Sequence, residues 1–280
     1  VASRGLGDVY KRQGGEDPYL TSRMAAAKVK GFQGDHLGEQ DKLAACAKHF
    51  AAYGGAIGGR DYNSVDISLQ TLAEVYLPPF RAAVEAGVAT VMPAFNDING
   101  VPCTANRYLL QDILRKDFGF EGFTVSDANA IMECVNHGTA ANRSDAAEQS
   151  LLSGVDMDMG SACYIQNLSE SVENGSVTID AIDSAVRHIL RIKFAKGLFE
   201  NPYAQPHKEK QVLLCDEHRK IARNAAARSV VLLKNNNVLP LKKKMKIALI
   251  GELAKNASEM LGTWNLQGHP EDVITLQEGL

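Results

Sequence analysis

Asp127 closes the segment Phe123-Thr124-Val125-Ser126-Asp127, an apolar run that ends on a carboxylate. Held at the mouth of a buried strand with restricted access to water, such a group can act as a nucleophile or a base; placed just before a helix near Asn129, it can instead be a cap. Lys48 and His49 end a second segment of this kind. An ammonium and an imidazole supply donors suited to vicinal hydroxyls, and the competing reading is a lysine paired with an inner carboxylate beside a satisfied histidine. Arg60 and Asp61 follow the glycine-rich YGGAIGGRDYN, either as a mobile contact at the rim or as a salt-bridged surface turn. Met92 and Phe95 close a third segment, where a thioether and a ring suit the apolar face of a sugar and equally suit a core. Asp156 and Asp158 alternate along a fourth and read as polar support rather than chemistry.

The elements that must carry these side chains form a repeat. Residues 43–49, 88–96, 121–127 and 154–158 read as buried strands whose C-terminal ends are polar. Between them the spacing predicts helices over 68–86, with Leu69, Leu72, Val75 and Tyr76 on one side, and over 106–118, with Leu109, Leu110, Ile113 and Leu114. Gly87 and Gly119 stand where each must stop. Asp145 with Glu148 opens a further helix as a capping pair, and 178–196 carries a stripe of Ile179, Ile182, Val186, Ile189 and Leu190. Strands alternating with helices imply an α/β fold with a parallel sheet, either doubly wound or a TIM-type (β/α)8 barrel. Polar residues at every strand end and the lack of a glycine-rich phosphate loop favour the barrel. Four strands are only the C-terminal half of one, so the other half is expected upstream.

The expected domain plan has four parts. Residues 1–13 show no periodicity and read as a non-native or read-through segment; 14–200 form the partial barrel; 201–240 form a linker and a connecting helix, the latter from about Asp216 to Lys234; and 241–280 open an α/β sandwich domain whose first strand is MKIALIG, stopped by Gly251. Both ends of the chain read as cut.

Composition narrows the partners. The chain has 280 residues, 45% hydrophobic and 22% charged, which fits a globular protein. Thirty Lys and Arg against 33 Asp and Glu leave a net charge of −3, too little positive charge to attract nucleic acid. Every apolar run breaks well before the roughly 18 residues that cross a bilayer, so no membrane span is expected. The five cysteines are scattered with no CxxC pair, which predicts isolated thiols and neither a disulfide framework nor a metal site.

Taken together, several ordered stretches resemble glycoside hydrolase family 3, in particular its bacterial periplasmic β-glucosidase branch. They are GEDPYL (15–20), KHFAAYG (48–54), RDYNSVD (60–66), LPPFRAAVEAG (77–87), FN..NG (95–100), GFEGFTVSD (119–127), HGTAA (137–141), GLF.NPY (197–203) and SVVLLKN..VLPL (229–241). The resemblance covers essentially residues 14–280. It implies a barrel followed by an α/β sandwich, exo-acting removal of a terminal β-linked sugar with retention, and no cofactor. It places Asp127 at the nucleophile of the family's strand-ending SD motif, Lys48 and His49 on hydroxyls of the nonreducing-end sugar, Met92 in the lining of that subsite and Arg60 among the substrate contacts. The family usually continues SD with Trp or His, where Ala128 and Asn129 stand here. Phe95 occupies a position where some members carry a Tyr hydroxyl.

Retaining hydrolysis needs two carboxyl groups about 5–5.5 Å apart, one attacking C1 and one protonating the leaving oxygen. The resemblance puts the second on a Glu of the second domain, beyond Leu280, and a periplasmic or secreted location follows from the same likeness. Lys48-His49-Phe50 runs into Ala51-Ala52-Tyr53, unlike the KHFPGHG of the N-acetylglucosaminidase branch. The expected substrates are oligosaccharides or aryl β-glucosides or β-xylosides. The 280 residues alone are expected to be inactive and poorly folded. Two other readings remain open: a barrel aldolase using Lys48 as a Schiff base, and a noncatalytic sugar-binding relative.

Overall fold

The computed structural model describes residues 14–262 and 265–280. The expectation of a foreign segment over 1–13 lies outside the described residues. The chain divides into two compact units, Val1–Ala204 and Gln205–Leu280.

In the first unit, helix α1 (Pro18–Gln33) starts from Asp17, whose carboxylate caps the Tyr19 N–H at 2.9 Å, with Pro18 at the first helical position. It lies outside the sequence expectations. Its apolar positions are mostly alanines, and Val29 and Gln33 are the residues it buries, so the stripe that would mark it is faint. Three parallel strands follow in sequence order: β1 (Cys46–Phe50), β2 (Thr90–Pro93) and, beyond a short β3–β4 hairpin (Asp97–Ile98 with Val101–Pro102), β5 (Phe123–Thr124). β2 is central, pairing Cys46 with Thr90 on one side and Val91 with Thr124 on the other. The fourth expected strand, 154–158, is reduced to a single parallel bridge between Val125 and Met157. All four apolar segments therefore lie side by side in chain order, as the α/β pattern requires.

Two residues fix where these strands begin. The buried Gln33 accepts the Ala45 N–H (3.0 Å) and the Ala89 N–H (2.9 Å) on Oε1 and donates from Nε2 to the Gly87 carbonyl (2.9 Å). One amide thus ties the end of α1 to the starts of β1 and β2. Gly122 precedes β5 so closely against β2 that a Cβ there would lie 2.0 Å from the Ala89 carbonyl oxygen.

The helices depart from expectation in detail. Over 68–86 the chain makes two helical turns, Leu69–Thr71 and Leu72–Tyr76, before Pro78 opens α2 (Pro78–Glu85). Leu69 is exposed while Leu72 is buried, so the expected single stripe is not kept. Helix α3 (Tyr108–Asp117), wound in the wide π form, buries Leu109, Leu110, Ile113 and Leu114 as the spacing predicts. Gly87 and Gly119 take φ of 83° and 71°, the left-handed stops expected after these helices. The helix expected after Asp127 near Asn129 is α4 (Ala130–Asn136), while α6 (Cys163–Glu173) lies outside the sequence expectations. Between them α5 (Arg143–Ser153) begins on Asn142 and not on Asp145. The Asn142 carboxamide accepts the Asp145 N–H at 3.0 Å and Asp145 reaches back to the Ala141 N–H at 2.8 Å, which corrects the expected Asp145–Glu148 pair by one turn. α7 (Ile179–Ala195) is capped by Thr178.

Asp156 is buried and fully engaged. Oδ2 accepts the Thr124 N–H (2.7 Å) and an Arg115 N–H (2.7 Å), while Oδ1 lies 2.8 Å from Nδ1 of His188 on α7. Asp158 accepts the Ser161 hydroxyl (2.6 Å) and the Tyr164 N–H (3.2 Å) at the head of α6. Both are the polar support the alternation suggested. The core joins Phe50, Val65, Val91, Leu109, Leu110, Leu114, Ile131 and Val155. The five cysteines are free thiols, and burial pushes Cys103 up to about 12.

In the second unit the connecting helix is α8 (Asp216–Ser229), shorter than expected. Residues 245–250, expected as the first strand of a sandwich, are irregular, and Ile250 is 90% exposed. A strand needs a ladder partner, and the described residues supply none. A capping box at Thr275 and Glu278 closes a short final turn.

Candidate active site

The C-terminal ends of β1, β2 and β5 bring the candidate side chains toward one rim. At the end of β1 the register slips between Lys48 and Phe50, so Lys48 pairs with Met92 while Phe50 pairs with Pro93. Lys48 stays exposed and His49 is buried. Three residues past β5, Asp127 is 9% exposed. Asn129 N–H donates to the Met159 carbonyl (2.8 Å) and Ala130 N–H to the Asp127 carbonyl (3.1 Å), so the main chain around the carboxylate is held on both sides.

Asp127 does not cap the helix that follows. Its Oδ1 accepts the N–H of the next residue, Ala128, at 2.7 Å, and α4 starts at Asn129 without a side-chain cap. Its Oδ2 faces Nε2 of His49 at 3.3 Å. That approach is close but misaligned, and both atoms lack a hydrogen-bond partner among the described residues. Burial pushes the Asp127 carboxyl up, but the His49 contact, the Ala128 N–H and the charges of His49 and Lys48 outweigh it and hold the group below the usual aspartate range. Asp127 is therefore an anion at neutral pH with one oxygen held by main chain and the other uncommitted.

Aromatic residues build the wall beside this pair. The Tyr53 ring lies 5.2 Å from the His49 ring and 6.3 Å from that of Phe95, and the Phe95 ring meets that of Tyr62 in a tilted contact at 4.3 Å. The Tyr53 hydroxyl donates to the Asp61 carboxylate, which also accepts the Tyr62 N–H at 3.1 Å. Asp61 is thus committed away from Arg60, and the salt-bridged turn is not formed. Arg60 is exposed, with no ion-pair partner among the described residues. Met92 and Phe95 are both buried, at 8% and 7% exposure, so their packing role is real whatever else they contact. The exposed Lys48 ammonium lacks the desolvation that a Schiff-base lysine requires.

Three contributors went unassigned in the sequence reading. The Phe95 carbonyl accepts from Nε2 of His137 at 3.1 Å, and Nδ1 of the same ring lies 3.7 Å from Asp97, which itself accepts the Gly100 N–H at 2.9 Å. Glu133, in the first turn of α4, has its carboxyl raised by burial, lowered by His137, and raised again by the charges of Asp127 and Asp61, with a net upward shift. The local signals are HGTAA for His137 and FN..NG for Asp97, while no quoted stretch contains Glu133.

A separate cavity of about 330 Å³ lies between α1 and β1, lined by Lys48, His49 and Tyr53 together with apolar side chains including Met24, Phe32 and Phe80. Asp127, Met92, Phe95 and Arg60 do not line it.

Residues 7–192 match the family model described as Glycosyl hydrolase family 3 N terminal domain, and residues 230–280 match the Glycosyl hydrolase family 3 C-terminal domain. A periplasmic beta-glucosidase of Salmonella typhimurium is 43% identical over 95% of this chain and 36% of its own length. A beta-xylosidase of Formosa agariphila is 40% identical over 95% of this chain and 39% of its own. The crystal structure of a beta-glucosidase from Listeria innocua in complex with glucose superimposes with a TM-score of 0.93 at 43% identity, covering 99% of this chain and 38% of that one. The chain thus spans less than two fifths of the length of these relatives.

Proposed function

The chain belongs to glycosyl hydrolase family 3, and from that premise we propose that the protein it represents is a retaining, exo-acting β-glycosidase of β-glucosidase type. The observation that carries this reading is the Asp127 carboxylate. It is nine-tenths buried at the end of a parallel strand, kept ionised, and left with one oxygen free of hydrogen bonds.

In the proposed reaction the Asp127 Oδ2 lone pair forms a bond to C1 of a terminal β-linked sugar. The bond from C1 to the leaving oxygen breaks, and that oxygen takes a proton from a second carboxyl. Water then attacks C1 of the ester, giving its proton to the same carboxyl and releasing Asp127. The second carboxyl is proposed to be a Glu of the sandwich domain beyond residue 280. Lys48 and His49 would donate to sugar hydroxyls, with Met92, Phe95 and Arg60 shaping the subsite. The substrates are oligosaccharides or aryl β-glycosides, and the chemistry needs no metal or cofactor. The parallel strands are proposed to belong to a (β/α)8 barrel, and 241–280 to an α/β sandwich. A relative described as periplasmic supports a periplasmic or secreted location, and among the described residues no helix is long and apolar enough to cross a membrane.

Asp127→Asn in the intact protein is expected to cut turnover of an aryl β-glucoside by several orders of magnitude, because the neutral amide cannot form the ester. A 2-fluoro glycoside should inactivate the enzyme and add its mass to the peptide containing Asp127. Labelling elsewhere, or product with inverted configuration, would overturn the reading. Similarity to the Formosa beta-xylosidase favours one alternative, a β-xylosidase on the same site, which comparison of kcat/KM on aryl glucoside and aryl xyloside decides.

A further inference from the structure

Nothing in the first coordination of Asp127 stops the His49 imidazole from turning, since the 3.3 Å contact between Nε2 and Oδ2 is not an aligned hydrogen bond. The restraint lies one layer further out. Tyr53 is 4% exposed, and its ring sits 5.2 Å from the imidazole at an interplanar angle of 49°. Its hydroxyl donates to the Asp61 carboxylate, which the Tyr62 N–H holds in turn. The Tyr53 ring also lies 6.3 Å from that of Phe95, which meets Tyr62 in a tilted contact at 4.3 Å. The turn that presents Tyr53 admits little play, because a Cβ on Gly55 would stand 2.9 Å from the Tyr76 hydroxyl. A buried ring anchored at its para position and in contact with two neighbouring rings has little freedom to move.

We propose that Tyr53, tethered through its hydroxyl to Asp61, is a positioning residue that fixes the His49 imidazole against the Asp127 carboxylate. The proposal rests on the reading of Asp127 as nucleophile and deepens it. Charged and titratable groups also act on this pair from other elements: Lys48 on β1, Glu133 on α4, and Cys46 at the start of β1, which feels Asp127. Asp61, which the Tyr53 hydroxyl holds, also acts on Glu133, so the His49→Ala background is what isolates the part of the Tyr53 effect that passes through the imidazole.

The test is a double-mutant cycle in the intact protein. Tyr53→Leu is expected to lower kcat/KM for an aryl β-glucoside by about ten- to a hundredfold, mostly in kcat, as coupled neighbours do. Tyr53→Phe, which keeps the ring, should recover most of that loss. In a His49→Ala background, Tyr53→Leu should add less than about twofold. Because the His49 contact is one of the influences holding Asp127 down, the acid limb of kcat/KM should move to higher pH in Tyr53→Leu. Additive effects of the two changes, or an unmoved acid limb, would overturn the proposal. Should Tyr53→Leu fail to fold, Tyr53→Phe and His49→Ala form the same cycle with a smaller expected effect.

A substrate-free readout separates this proposal from the one it rests on. In protein labelled with ¹³C at the aspartate carboxyl and assigned with Asp127→Asn, the Asp127 titration midpoint should rise in Tyr53→Leu. If it rises in a protein without glycosidase activity, the functional reading falls and the positioning role stands. If it does not rise, the positioning role falls whatever the activity.

Discussion

At the scale of single residues, the behaviour of Asp127 follows from competition between burial and its neighbours. Burial favours the neutral acid, while the His49 contact and the Ala128 N–H favour the anion and prevail. Since the folded-state group titrates below its unfolded value, its ionisation adds stability above the ordinary aspartate pKa, and that stability is lost as pH falls through the depressed one. Activity that needs the anion should hold on the acid side down to that same depressed value. His49→Ala removes a lowering influence, so the acid limb of the kcat/KM profile is expected to shift upward, as a pH series on both proteins would show. Asp127 and His49 were legible in the sequence because each ends an apolar run on a polar side chain. Tyr53 and His137 were not, because their importance comes from a ring 5.2 Å away and a carbonyl 42 residues distant, and no local spacing encodes either contact. The Arg60–Asp61 turn misled for a related reason: adjacent opposite charges suggest a pair, but Asp61 is taken by the Tyr53 hydroxyl.

At the scale of elements, the strands and the stops of the helices followed the apolar periods and the glycines, whereas α1 did not. Its key residue is a glutamine, a type expected at the surface, buried here because three main-chain groups at the sheet's edge need it. Gln33→Ala would leave the Ala45 and Ala89 N–H groups and the Gly87 carbonyl without that partner, at about 1–3 kcal/mol for each group that water cannot reach. A clear drop in the unfolding midpoint is expected, while Gln33→Glu should fall between, keeping the acceptor and losing the donor. Gly122→Val should be more damaging still, since the Cβ meets main chain and not a side chain able to move. Asp156→Ala is expected to cost about 3–5 kcal/mol, because it strands the largely buried Arg115 guanidinium. Chemical denaturation of the four variants alongside the parent measures these losses.

At the scale of the whole molecule, the two units differ in how much they bury. Val65, Val91, Leu114 and Ile131 are sealed in the first, while Thr275 is the one buried residue among the described residues of 205–280. Val230, Leu233 and Ile250 are 76%, 91% and 90% exposed. Limited proteolysis of the 280-residue chain should therefore remove 205–280 first and leave a product ending near Ala204, identifiable by its mass. Survival of 205–280 beside a digested first unit would contradict this. The expected strand at 245–250 is apolar but has no ladder partner among the described residues, because hydropathy marks what a segment would bury and not whether a neighbour is there to cover it. One consequence of the 3.3 Å meeting of His49 and Asp127 reaches beyond resting geometry. Under the proposed chemistry, glycosylation turns the aspartate into a neutral ester, and the imidazole across from it loses the negative partner it faced. Hydrolysis restores that partner, so the trapped sugar sits in a pocket whose electrostatics are best satisfied by letting it go.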